Sequence, residues 1–244
     1  MNEDIIKNIS KDLDISDKQA TTVLDLLNEG NTIPFISRYR KEATGSLDEV
    51  QIKAIEDRYH YIQQLETRKE EVIRLIDEQG KLTEELQQAI QAATVLQRVE
   101  DLYRPYKQKR RTKATIAKER GLQPLADHIL KFSKQSVELL AASYVNEEQG
   151  VSTVEEALAG ARDIIAESIA EHADVRASVR KVFLEKGSFV SRVVPGKEEA
   201  AMKYKDYFEW SEPLKSAPSH RVLAMRRGEK EELLYLDIEV SDDA

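Results

Sequence analysis

The sequence predicts a mainly α protein: a multi-helix bundle around a long central helix, with helix-turn-helix-like elements and a small α+β portion at the C-terminal end. Three observations predict it. Hydrophobic residues make up 41% and charged residues 34% of the 244-residue chain, with only 9 glycines and 6 prolines. That is the balance of charge-laced helices rather than of a disordered or collagenous chain. Apolar residues recur at three- and four-residue spacing until Gly187, and from Ser188 onward the spacing shortens to two.

Residues 3–13 carry Ile5, Ile6, Ile9 and Leu13 on one helical face. Ser16 followed by Gln19 has the form of a capping box, Val23, Leu24, Leu26 and Leu27 form the buried side, and Gly30 is placed for a C-terminal cap. Thr32 and Pro34 open a third helix, in which Ile33, Phe35 and Ile36 call for burial. Ser46 with Glu49 has the form of a second capping box at the head of the longest pattern, residues 47–79, closed by Gly80. Such a run is too long for one small globule and reads as a packed spine; Glu66 and Lys69 interrupt the seam that a coiled coil would need.

Residues 83–93 and 94–103 are two more helices, each opened by a threonine. Pro105 disfavours helix in the residue before it, so the second should end near Tyr103. Ala114–Arg120 and Pro124–Phe132 are short helices on either side of Gly121, the helix-turn-helix-like unit. Further helices are expected over Ser136–Val145, over 153–171, and from a capping Asp174 to Gly187, the last burying Val175, Val179, Val182 and Phe183. Ser188–Gly196 alternates like a strand stopped by Pro195-Gly196, Pro218–Arg227 reads as a helix ended by Gly228, and Glu232–Val240 is the clearest strand. The expected organisation is a helical region over 1–150, further helices over 151–187, and a strand-helix-strand segment over 188–244.

Several function classes lack their signatures. There is no cysteine, which excludes disulfides and thiolate metal sites and fits a reducing cytoplasm. No window approaches 18 uninterrupted apolar residues, and the acidic N-terminus does not read as a signal peptide. GxxxxGK[ST], GxGxxG, HExxH and GxSxG are absent. His60, His128, His172 and His220 have no neighbours at metal-ligand spacing. The expectation is a non-catalytic protein without cofactor or metal.

What stands out is residues 102–122, LYRPYKQKRRTKATIAKERGL. Arg104, Lys107, Lys109, Arg110, Arg111, Lys113, Lys118 and Arg120 meet a single anion, Glu119, in a chain whose net charge is −8. Like charges this dense repel one another, and concentrating them is favourable only where something anionic docks. Tyr103 and Tyr106 flank Pro105, offering a ring face for base stacking beside cations for phosphates. The candidate nucleic-acid contacts are therefore Tyr103, Arg104, Tyr106, Lys107, Lys109, Arg110, Arg111 and Lys113, with Arg38, Arg40 and Lys41 as a secondary cluster. The competing reading is a solvated loop whose cations pair with the acidic helices around it.

EDLYRPYKQKRRTKATIAKERGLQPLA (Glu100–Ala126) resembles a signature of the Tex family of bacterial transcription accessory proteins, as do NTIPFISRYRKEATGSLDE (Asn31–Glu49) and PSHRVLAMRRGE (Pro218–Glu229). The resemblance covers nearly the whole chain. It implies a role in transcription, nucleic-acid binding, and kinship with a eukaryotic elongation factor that travels with RNA polymerase. It also implies that further domains, RNase H-like, helix-hairpin-helix and an RNA-binding OB fold, lie beyond these residues, so the chain looks like an N-terminal fragment. Two accounts stay open: a module contacting single-stranded RNA or DNA, and a scaffold docking RNA polymerase or the protein's own later domains.

Overall fold

The structure, a computed structural model, describes residues 3–108, 110–131 and 136–240. The chain divides between Tyr106 and Lys107 into two compact units.

The first unit is all helical: α1 (Glu3–Leu13), α2 (Asp17–Asn28), α3 (Ile33–Tyr39), α4 (Lys41–Thr44), α5 (Glu49–Asp77), α6 (Glu84–Gln91) and α7 (Leu96–Tyr103), then a 3-10 turn over Arg104–Tyr106. α5 is the expected spine, 29 residues and roughly 43 Å long at 1.5 Å per residue. One core gathers at its N-terminal half, where Ile52, Ile55 and Ile62 meet Ile6, Ile9, Val23, Leu24 and Ile36. A second gathers at its C-terminal half, where Leu65, Val72 and Ile76 meet Ile90 and Val99. The buried Lys69, between Leu65 and Val72 of this second core, is satisfied, its Nζ donating to Glu66 at 2.8 Å and to the Gln91 carbonyl at 2.9 Å.

Local chemistry sets the ends. The Ser16–Gln19 capping box forms, whereas α5 is capped two residues later than the sequence indicates. Asp48 accepts from the Gln51 backbone N–H and Gln51 reaches back, while Ser46 sits in a left-handed turn at φ 64° and cannot cap. At α7 the N-cap position falls on Val95 rather than Thr94, with no side-chain cap hydrogen bond. Its C-terminus at Tyr103 falls where Pro105 requires.

In the second unit, α8 (Lys113–Glu119), α9 (Gln123–Leu130) and α10 (Val137–Ala142) pack on α11 (Val154–Glu171), and α12 (Ala173–Lys186) follows. Ala114, Ala117, Leu122, Leu125 and Ala126 meet Ala157, Ala161 and Ile164, a core of small residues that draws the helices close. α12 differs from expectation. It starts after His172, with Asp174 inside its first turn, and none of its residues is buried. Val175, Val179 and Phe183 instead line an open apolar groove of about 750 Å³ with Ile169, Leu214 and Ile238.

The remainder is a three-stranded antiparallel sheet in the order β2-β1-β3, with β1 at Ser188–Val193, β2 at Glu209–Pro213 and β3 at Leu234–Glu239. β2 escapes the sequence pattern because EWSEP is short and polar; its register against β1, Ser191 opposite Trp210, makes it a strand. α13 (Ser219–Lys230) runs through Gly228 instead of stopping there. That glycine is buried against β3, where a Cβ would lie 2.6 Å from Leu234 Cδ1.

One ion pair ties β2 to α13. Arg221 donates to both Glu212 oxygens, at 2.7 and 3.3 Å, and its guanidinium lies 5.4 Å from the Trp210 ring centre. The Arg221 bonds hold the Glu212 carboxyl below its ordinary value of 4.5. A depressed carboxylate contributes stability above its unfolded-state pKa, and that contribution is lost as pH falls through the folded one. Glu212→Gln should therefore be less stable than wild type at pH 7 and should lose less stability between pH 5 and 3. Acid unfolding followed by the fluorescence of Trp210, the single tryptophan, measures both. Parallel curves for the two proteins would refute the coupling.

Candidate nucleic-acid interface

The basic segment straddles the division between the units, and each half has its own surroundings. In the first unit, Tyr103 and Tyr106 are half-buried and pack against the C-terminal core of α5. Arg68 on α5 explains the setting of Tyr103. Its Nε donates to Glu100 at 2.6 Å, a second nitrogen donates to Glu71 at 2.6 Å, and the guanidinium lies 5.4 Å from the Tyr103 ring centre. These partners, Glu100 first, raise the Arg68 pKa further above its ordinary value, so the cation on that ring face is permanent. Tyr106 is fixed through its carbonyl, which accepts from the Gln79 side chain at 3.1 Å. Arg104 is exposed and makes no ion pair among the described residues.

In the second unit, Lys107, Arg110, Arg111 and Lys113 are all exposed, and Lys109 lies outside the described residues. Arg111 pairs with Glu119 at 2.6 Å, both side chains more than half exposed. Arg110, Lys113 and Arg120 make no ion pair among the described residues. The segment is anchored by Thr112, which caps α8 by accepting from the Thr115 N–H at 3.1 Å and donates to Glu167 on α11 at 2.8 Å. Lys118 reaches the same Glu167 at 3.2 Å. A cation at the first position of a helix, as Lys113 is, opposes the helix dipole, so its place there is not explained by the stability of α8.

Beyond the cap the field becomes mixed. Lys113 and Arg120 share a cleft of about 290 Å³ with Glu156 and Asp163. The cationic stretch proper is thus the approach to α8.

The secondary cluster lies at the end of α3. Arg38 approaches Glu49 at 3.7 Å with both side chains exposed, Arg40 lies over the Phe35 ring at 5.3 Å, and Lys41 is exposed without an ion pair among the described residues. Phe35 and Tyr39 stay at the surface beside them, where the sequence had called for burial of Phe35. Their i, i+4 spacing, opposite the buried Ile36 and Ser37, is the signal that places both rings on the outer face.

Two family models match the chain. "Tex-like protein N-terminal domain" covers residues 3–77, and "Tex central region-like" covers residues 133–244. The chain belongs to the Tex family. Tex relatives align along almost its full length. YdcI of Bacillus subtilis (strain 168) is 48% identical over 239 residues, 97% of this chain and 33% of that protein. The transcriptional accessory protein Tex of Neisseria gonorrhoeae is 43% identical over 98% of this chain and 31% of its own length. The human S1 RNA-binding domain-containing protein 1 is 28% identical over 99% of this chain and 25% of its own length. The chain thus spans about a third of the length of its bacterial relatives.

Among the described residues no group of three or more histidine and carboxylate side chains is placed to hold a metal ion, and no helix is long and apolar enough to cross a membrane.

Proposed function

We propose that this chain is the N-terminal module of a non-catalytic, cytoplasmic transcription accessory protein, and that its basic segment contacts the backbone of single-stranded RNA or DNA. The observation that carries the proposal is the exposure of Lys107, Arg110, Arg111 and Lys113, with Arg110 and Lys113 free of carboxylate partners among the described residues, in a chain of net charge −8. An anionic helical protein that packs small residues along α8 and α11 gains no stability from an Arg110 and a Lys113 left without ion pairs, among the described residues, at the head of α8. Arg104 extends the row in sequence. Tyr103, with Arg68 on one ring face, is assigned to holding the start of the segment.

Support also comes from the relatives' names, one a transcriptional accessory protein and one a protein with an S1 RNA-binding domain. α8 and α9 follow one another across Gly121, and the proposal places the contact on the approach to α8 and not in a groove of duplex DNA. RNA polymerase remains a further partner of the whole protein in this reading.

The test is a titration of the 244-residue chain with a single-stranded RNA 12-mer by fluorescence anisotropy at several salt concentrations. Four to six phosphate contacts give a slope of log K against log salt of roughly −3 to −4. Absence of binding at low salt would overturn the proposal and leave the protein-docking account standing.

A further inference from the structure

The end of α3 carries a feature that the basic segment lacks, an aromatic ring presented to solvent. Tyr39 is 68% exposed. Phe35, one turn earlier, supports it with ring centres 5.2 Å apart and planes inclined by 41°. Arg40 covers Phe35, so the pair is held from one side while Tyr39 stays open. α3 already buries Ile36 and Ser37 on its inner face, and its packing does not draw on the Tyr39 ring.

The surroundings select the ligand. Arg38, Arg40 and Lys41 all lie within two residues of Tyr39, in a unit that otherwise has more carboxylates than cations. Arg38 has only the long 3.7 Å contact to Glu49, and neither Arg40 nor Lys41 is ion-paired among the described residues. The core of a protein-protein interface is depleted in charge around its aromatic anchor, which is the opposite arrangement. A ring with an open face among cations instead matches the stacking platforms on which single-stranded nucleic acid is held.

We propose that Tyr39, backed by Phe35, is a base-stacking platform for single-stranded nucleic acid, with Arg38, Arg40 and Lys41 meeting the adjoining phosphates. The inference rests on the nucleic-acid reading above and adds a second, stacking contact within the first unit. A duplex keeps its bases stacked on one another and offers the ring nothing, so the platform discriminates single strands from double strands.

The test uses the 244-residue chain, a single-stranded RNA 12-mer and a duplex of equal length. Tyr39→Ala should weaken single-strand binding roughly tenfold while Tyr39→Trp retains it. Because a stack releases no counterions, Tyr39→Ala should leave the salt slope unchanged, whereas Arg40→Ala with Lys41→Ala should reduce its magnitude by about 1.4. Duplex affinity should not respond to Tyr39→Ala. Wild-type binding that Tyr39→Ala leaves within twofold overturns the platform alone. A lowered melting temperature in Tyr39→Ala overturns it too, by making the ring a structural element. No binding by wild type overturns both the platform and the reading beneath it.

Discussion

With Arg110, Arg111 and Lys113 all replaced by alanine, the chain should bind a single-stranded RNA 12-mer about 100-fold more weakly than wild type at 0.1 M salt, with a salt slope smaller by about 2. Each phosphate contact to a single strand contributes about 0.7 to the slope, and at 0.1 M salt the same 0.7 appears as log units of affinity. Three contacts together therefore give the factor of about 100. The substitutions should leave the fold intact. Arg111–Glu119 is an exposed pair of the kind that contributes about 0–1 kcal/mol. Arg110 makes no ion pair among the described residues, and removing Lys113 relieves the head of α8 of an unfavourable charge. A weakened complex with an unchanged slope would mean that the loss came from misfolding, and an unchanged affinity would place the nucleic acid elsewhere.

The helical architecture was legible because its signals are local. The Ser16–Gln19 box, the spine of α5, the stop at Tyr103 and the change of period at Ser188 each depend on residues within a few positions of one another. Where the reading missed, the deciding interaction lay elsewhere in the chain. Gly228 resembles a helix stop, yet it is the close approach of Leu234 that keeps it glycine while α13 continues past it. β2 has too few apolar residues to show a period and exists through its pairing with β1. The apolar residues of α12 have the spacing of a buried face, but a helix-wide stripe does not say whether a partner covers it.

The same division runs through the candidate interface. Charge density marked the segment from sequence alone, since cations on a short approach to a helix have few routes to burial. Which of those cations are paired depends on Glu119 and Glu167, eight and many more residues away, and only the fold assigns them. The two tyrosines of the segment looked equivalent as stacking faces. Arg68, contributed from α5, covers one face of Tyr103, while Tyr39, which sits among the secondary cations, proves the more exposed ring.

Gly160→Ala should lower the melting temperature of the second unit by about 5 °C, against what helix propensity alone implies. Gly160 is inside α11, and alanine there should favour the helix by about 1 kcal/mol. Packing opposes this. A Cβ at Gly160 would sit 2.4 Å from Leu122 Cδ1 and 3.2 Å from Ala117 Cβ. Leu122 is only 1% exposed and the Ala117 methyl is fixed to the α8 backbone, so neither can swing into solvent. Overpacking of this kind costs about 1–3 kcal/mol. The net loss is then up to about 2 kcal/mol, and its midpoint of about 1 kcal/mol corresponds to a few degrees for a unit of this size. Trp210 lies in this unit, so its fluorescence follows the transition directly. Leu122→Ala removes the clashing atoms, and in that background Gly160→Ala should become neutral or stabilising, the coupling that a double-mutant cycle isolates. Equal effects in both backgrounds would show that Leu122, at the head of α9, does not rest on α11 through this glycine.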